Sequence, residues 1–238
     1  MKSKSFVLRS GLLVSMTLSL VQVATVQART VPFKEGATYR NSSGELIAAR
    51  GKRMLKLKIE REVVMADDLM LRGKYADAAD LYRQVLNRNA KSVPAMVGLG
   101  MALAKQFKLD GANEQFDKAL SLDLRNAMAH SGKAMVMYHR LQSSSGTIIR
   151  NKEALLKNAE AEVKQGLAID PGMPEAHYTL GNIYKEQGRF DEAMNELKEA
   201  TKQDPQYSEA FAGLGIVRLQ QGLLADAIQD FKQAIALN

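Results

Sequence analysis

The sequence predicts an all-α protein, a solenoid of about five stacked helix-turn-helix units, and two observations predict it. The first is an echo. Leu180-Gly181 returns as Leu214-Gly215, Gly188 as Gly222, Ala193 as Ala227 and Ala200 as Ala234, each 34 residues on. A fixed period of this size marks units that cannot bury their apolar faces alone and must stack. The second is the spacing within one period. Phe190, Ala193, Met194, Leu197 and Ala200 fall at i, i+3, i+4, i+7 and i+10, one face of a helix. Leu180, Gly181 and Tyr184 lie on a preceding helix, and Gly188 sits where a tight turn favours a residue without a Cβ. Pro205 follows as a helix stop. Gly181 and Ala193 are small enough to let the two antiparallel helices approach closely.

Taken in order, the first element is not part of the stack. Lys2, Lys4 and Arg9 precede an apolar run from Gly11 to about Val26, and Val26-Gln27-Ala28 offers a cleavage site. That is the layout of a signal peptide over residues 1–28. The run is too short for a membrane span and is interrupted by Ser15, Thr17, Ser19 and Gln22. The expectation is export to the periplasm or beyond, with a membrane anchor as the alternative if the leader is not cleaved. Residues 29–44 are poor in apolar side chains and read as a flexible linker. Ser42-x-x-Glu45 opens a basic helix over 45–58, with Gly51 as a weak point.

Five units follow, at 59–92, 93–126, 127–173, 174–207 and 208–238. The second keeps Leu99-Gly100, Leu103, Ala112, Phe116, Ala119 and Leu120 in register, but Phe107 replaces the turn glycine. The first is weaker, with Met65, Ala66, Leu69, Gly73, Ala78, Tyr82 and Leu86. The third carries 13 extra residues. Its loop reads as Gln142 to Thr147 and its second helix as Asn151 to Ile169, lengthened, so the insertion is expected to project from one edge of the solenoid.

Composition then excludes several functions. The chain has no cysteine, which removes disulfides, thiolate catalysis and cysteine-based metal sites. The net charge of +7 is local: the leader holds +3 and residues 29–58 hold +6, leaving the remaining 180 residues at −2. Nucleic-acid binders spread Lys and Arg along a binding face, and these units do not, so nucleic acid is not an expected partner. His130, His139 and His177 are 9 and 38 residues apart, which is no zinc-ligand spacing. His130 and His177 instead hold the same position in consecutive units, a packing explanation. There is no P-loop, dinucleotide fingerprint or nucleophile elbow. No catalytic residue, metal or cofactor is expected.

The series Leu180-Gly181-x2-Tyr184, Ala193-x3-Leu197, Pro205, with its echo at Leu214-Gly215, Ala227-x3-Phe231 and Ala234, resembles the tetratricopeptide-repeat family over roughly residues 59–238. The family's tryptophan position holds Glu62, Met96, His130, His177 and Phe211, and its tyrosine is replaced in four units. The resemblance implies a right-handed superhelix whose first helices line a concave groove. It places Met70, Val97, Met101, Lys105, Met135, Tyr138, His139, Tyr178, Asn182, Lys185, Ile216 and Gln220 in that groove. Lys105, Asn182 and Lys185 are too dispersed for the clamp with which some family members grip acidic C-terminal tails. Methionines at 70, 101 and 135 suit irregular apolar partners. The expected function is therefore a non-catalytic scaffold outside the cytoplasm, in a bacterial envelope, holding an apolar or amphipathic peptide segment while a complex assembles. The alternative is that the repeats form the substrate-recognition region of a larger glycosyltransferase, since the last two units look like those preceding O-linked N-acetylglucosamine transferase domains.

Two surfaces stay open to more than one reading. Residues 50–58 (Arg50 to Lys58) could touch anionic lipid, or form a solvated helix whose Met54, Leu55 and Leu57 cover the first unit. The C-terminal helix either tolerates exposure, self-associates, or continues into further sequence.

Overall fold

The structure, a computed structural model, describes residues 47–143 and 151–237, with side chains from Met54 onward. The expected leader (1–28), the linker (29–44), the Ser42/Glu45 capping box, the side chains of Arg50, Lys52 and Arg53, residues 144–147 of the loop and Asn238 lie outside the described residues. The described residues form ten helices and no strand: α1 (Ile47–Leu71), α2 (Tyr75–Arg88), α3 (Val93–Lys105), α4 (Leu109–Leu122), α5 (Ala127–Ser143), α6 (Lys152–Ile169), α7 (Pro174–Glu186), α8 (Phe190–Gln203), α9 (Ser208–Gln220) and α10 (Leu224–Ala236). The all-α solenoid expectation holds.

Two kinds of turn join the helices. Within a unit, Gly73, Gly188 and Gly222 take φ of 69°, 75° and 77°, the left-handed conformation that ends one helix and starts the next. Phe107 takes the same conformation, φ 57°, at a cost of roughly 1 kcal/mol that glycine would avoid. Between units, Asn89, Asp123, Asp170 and Asp204 stand in register. Each accepts, on its side-chain oxygen, the backbone N–H two residues on, at 3.2, 3.1, 3.0 and 2.9 Å. A short side chain that bonds its own turn stops the second helix and reverses the chain.

The units interlock by a repeated wedge. Tyr82, Phe116, Val163 and Leu197, one on each of α2, α4, α6 and α8, are each at most 1% exposed. On one side the wedge meets its own unit's first helix, Phe116 at Gly100 and Leu197 at Gly181, where the first and third units carry Ala66 and Ala134 at the same register. On the other it meets the next unit's first helix. A Cβ on Gly98 would lie 2.3 Å from the Tyr82 ring, one on Gly132 2.3 Å from the Phe116 ring, and one on Gly213 3.0 Å from Leu197 Cδ2. Where the wedge shrinks to Val163, the facing register position widens to Thr179. Ring and glycine are thus one packing device, which the close-packed interior requires to be filled.

The third unit departs from the expected reading. α5 runs through Ser143, so it is 17 residues long against 13 in α3, α7 and α9. α6 has 18 residues against 14 in α4 and α8. The insertion lengthens both helices, and the chain leaves α5 after Gln142 rather than at it. α1 is unbroken through Gly51 and merges the basic segment with the first unit. Its Met54, Leu55 and Leu57 are 61, 45 and 52% exposed and do not cover that unit; Ile59 and Val63 do.

Candidate functional site: the inner helix layer

Curvature decides which side can hold a partner. α3, α5, α7 and α9 each touch their odd-numbered neighbours, whereas α2, α4, α6, α8 and α10 touch only odd-numbered helices. The first helices therefore form the tighter, inner layer, and second helices splay on the outside.

Within that layer, α3, α5 and α7 enclose a hollow of about 70 Å³. Four methionines line it, Met101 from α3, Met128 and Met135 from α5, and Met173 just before α7, together with Ser131, Gly132, Glu175, Ala176 and Thr179. α7 itself contributes Glu175, Ala176 and Thr179, while unbranched thioether chains face the hollow from α3, from α5 and from the residue before α7. Such chains re-pack around different apolar shapes. Met128 is 53% exposed, while Met135 and Met173 are each 9% exposed. The opening is therefore lipped by an exposed side chain over a buried floor.

The other groove residues separate into groups. Met70 is half-buried against the core of the first two units and does not reach the hollow, and Val97 belongs to that core. Asn182 is 3% exposed, donates to the Tyr178 carbonyl at 3.0 Å and accepts from Lys185 Nζ at 3.3 Å. Its polar atoms are engaged within its own helix, so it acts as a structural residue. Tyr178 packs on Tyr207 with ring centroids 5.2 Å apart. Tyr138 is buried, and burial followed by the nearby Tyr178 pushes its hydroxyl above the ordinary range. Ile216 and Gln220 are exposed on α9, away from the hollow.

His139 sits between Phe107 (5.3 Å, edge-on) and Tyr138 (6.0 Å). Burial, then the Lys105 charge, lowers its pKa, and its Nδ1 is buried without a partner. The other two histidines repeat one arrangement. His130 Nδ1 meets Glu162 at 2.7 Å and Nε2 meets the Leu124 carbonyl at 3.1 Å. His177 Nδ1 meets Glu196 at 2.7 Å and Nε2 meets the Pro171 carbonyl at 3.0 Å. Both tie a first helix to its own second helix and to the preceding turn. Among the described residues, no three His, Asp or Glu side chains gather as a metal site.

Met128, Met173 and Phe107 lie outside the twelve residues expected from the sequence, as do the lining residues Ser131, Gly132, Glu175, Ala176 and Thr179. Met128 occupies the second position of its unit, a groove position by the resemblance, and the signal was present. Met173 stands before the helix, where periodicity is silent. Phe107 sits in a turn that its residue type argues against.

Family models described as tetratricopeptide repeat match residues 63–128 and 153–216. Among solved structures, a thermophilic TPR protein of Thermus thermophilus, TTC0263, superposes with a TM-score of 0.66 at 20% identity, covering 75% of this chain and 91% of that one. The PilF protein of Pseudomonas aeruginosa gives a TM-score of 0.58 at 13% identity, covering 77% and 78%. Among curated proteins, a probable UDP-N-acetylglucosamine–peptide N-acetylglucosaminyltransferase SPINDLY of Hordeum vulgare is 29% identical over 157 residues, covering 54% of this chain. The protein O-mannosyl-transferase tmtc2 of Xenopus laevis is 28% identical over 136 residues. The chain spans only 17% and 15% of those two relatives.

Proposed function

Because the chain belongs to the tetratricopeptide-repeat family, we propose that it is a non-catalytic scaffold that seats an apolar or amphipathic segment of another protein on its inner layer. The observation that carries this reading is the four-methionine hollow between α3, α5 and α7. At about 70 Å³ it takes one aliphatic side chain, and burying one contributes roughly 1.5–3 kcal/mol. The rest of a bound segment would lie over Tyr178 and the exposed end of α5. The N-terminal layout of a leader supports action outside the cytoplasm, in the assembly of an envelope complex. Met54, Leu55 and Leu57, exposed beside Lys56 and Lys58, support a peripheral contact with an anionic membrane as well. Liposome co-sedimentation of the chain without its leader tests that contact.

A displayed-peptide selection on the same protein tests the groove. The expected enrichment is of sequences sharing one large aliphatic or aromatic anchor, with at least tenfold weaker binding to Met128→Lys. Met128 is the right position because it is exposed; Met135 forms part of the core, and a charge there would unfold the protein. Selection of acidic C-termini, or binding indifferent to Met128→Lys in a folded protein, would rule the reading out.

The curated relatives favour a second reading, a recognition region belonging to a larger glycosyltransferase-type enzyme. Their similarity to this chain covers a small share of their length. Reading the coding sequence beyond Asn238 for a transferase region distinguishes the two.

A further inference from the structure

We propose that the segment seated on the inner layer carries a lysine or arginine close to its apolar anchor, and that Tyr178, Tyr207, Glu175 and Glu209 take that cation. The inference rests on the inner layer being the binding surface, and it names a second chemistry there. It starts from register. Met128, Glu175 and Glu209 hold the second position of the third, fourth and fifth units, while Met173 and Tyr207 close the third and fourth. Between α5 and α7 these positions supply methionines to the hollow, with Glu175 also in its lining. One helix further on, between α7 and α9, the same positions supply a ring and carboxylates.

The two rings are set against each other. Tyr178 reaches across from α7, so that a Cβ on Gly213 of α9 would lie 3.7 Å from its Cε2. Tyr207, directly before α9, packs on it with centroids 5.2 Å and planes 52° apart. Both tyrosines are half-buried, so part of each ring stays open to solvent. Glu175 and Glu209 are exposed in the first turns of α7 and α9, where the helix dipole favours a negative charge. Burial, then Tyr178, then Glu175, Glu209 and Asp204 raise the pKa of Tyr207, which puts both glutamates within electrostatic reach of one neutral ring. Asp204 is engaged by its own turn. Glu209 accepts from the Ser208 hydroxyl at 3.0 Å, and among the described residues no Lys, Arg or His side chain pairs with Glu209 or Glu175. Lys185 lies roughly 15 Å further along α7 and is engaged by Asn182 and Glu186.

Such a site attracts a cation twice, through the ring faces and through the carboxylate charge. Lysine and arginine fit it because their aliphatic stems cover a ring while the charged head reaches the carboxylates. An acidic segment would meet two like charges instead. Packed helices stand about 8–10 Å apart, which an extended chain spans in about three residues. The cation is therefore expected about three residues from the side chain that enters the hollow.

The test uses a glycine-spaced synthetic peptide with one leucine and a lysine about three residues to either side, and a twin with glutamine for each lysine. Both are titrated into the full chain and followed by NMR. Methyl signals of Met101, Met128, Met135 and Met173 report the hollow, and ring signals of Tyr178 and Tyr207 report the cation seat. The lysine peptide should shift both sets and bind at least about fivefold more tightly than its twin. That preference should shrink in about 1 M salt, where charges are screened within about 3 Å. Glu175→Gln with Glu209→Gln should remove the preference, and Tyr178→Leu should reduce it. Glu153→Gln with Asp226→Asn, an equal change of charge on the outer helices α6 and α10, should leave it intact. Equal binding of the two peptides, a preference that survives the Glu175 and Glu209 changes, or a loss reproduced by the outer pair would overturn the proposal. Shifts confined to the methionines would also overturn it while leaving the hollow standing. Shifts confined to the tyrosines, and lost with the glutamine twin, would keep the cation seat and remove the hollow as the anchor.

Discussion

Replacing Gly132 by Ala should destabilise the protein by about 2 kcal/mol, although alanine is the better helix former. The new Cβ would lie 2.3 Å from Phe116 Cζ and 2.5 Å from Cε1, where carbon atoms normally sit about 3.5–4.0 Å apart. The ring or the α4–α5 spacing must give by more than about 1 Å. Retreat is blocked. Phe116 is fully buried, and on its far side even a Cβ at Gly100 would come within 2.6 Å. Overpacking of this kind costs roughly 1–3 kcal/mol, here near the upper figure. The helix-propensity gain returns about 1 kcal/mol. Urea denaturation followed by far-UV circular dichroism reads the difference. For a chain of this size the melting temperature should fall by about 4–8 °C. The paired control is Gly213→Ala, whose Cβ would meet only the tip of Leu197 at 3.0 Å, and which should be near neutral. Phe116→Leu in the Gly132→Ala background should recover part of the loss, giving a coupling above about 1 kcal/mol. A Gly132→Ala protein as stable as its parent, or strict additivity with Phe116→Leu, would refute the clamp.

The histidines predict opposite pH responses. Glu196, with the Pro171 carbonyl assisting, raises the pKa of His177, so its stabilisation is complete below about pH 6.5 and is lost as pH rises through the folded value; His177→Gln should flatten that alkaline loss in melting curves. Burial lowers the pKa of His139, so its contribution is present above about pH 6.5 and is lost on acidification. Phe107→Gly removes both the strained φ and the ring that shields His139, so NMR titration should find the His139 pKa moved up towards its ordinary value, with stability changed by less than about 1 kcal/mol. Glu160 resists protonation to about 2: burial opposes ionisation, but hydrogen bonds from Lys164, Gln187 and Arg189 outweigh it. Its contribution is present above the ordinary carboxylate value and fades as pH falls through about 2, and Glu160→Gln should remove that part of the acid unfolding curve.

What the sequence made legible follows from what repeats. Stacking demands the same small and large residues at the same places in every unit, so Gly181, Ala193, Leu197 and their echoes disclose both helices and their pairing. The turns were half legible. Gly73, Gly188 and Gly222 announce a left-handed residue, but Phe107 adopts that conformation against its own preference, held by contact with His139. No local propensity reports a contact made 32 residues away. The insertion was visible as a broken period, yet its division between α5 and α6 was not, because a lengthened helix and a longer loop break the register equally. The methionines divide for a similar reason. Periodicity gives Met101 and Met135 one position and Met70 another on the same face, while burial depends on the neighbouring helix: Met70 lies against the core and Met101 opens on the hollow.

The joints and the inner layer are separated by the logic of the repeat itself. Register positions at a joint are matched in size, glycine against a ring or leucine and Thr179 against the smaller Val163, so they cannot vary to suit a ligand without breaking a joint. Inner-layer positions carry no such duty, and they change character along the stack, from methionine around α5 to tyrosine on α7 and exposed Ile216 and Leu219 on α9. A partner of the inner layer is therefore selected by residues free to change.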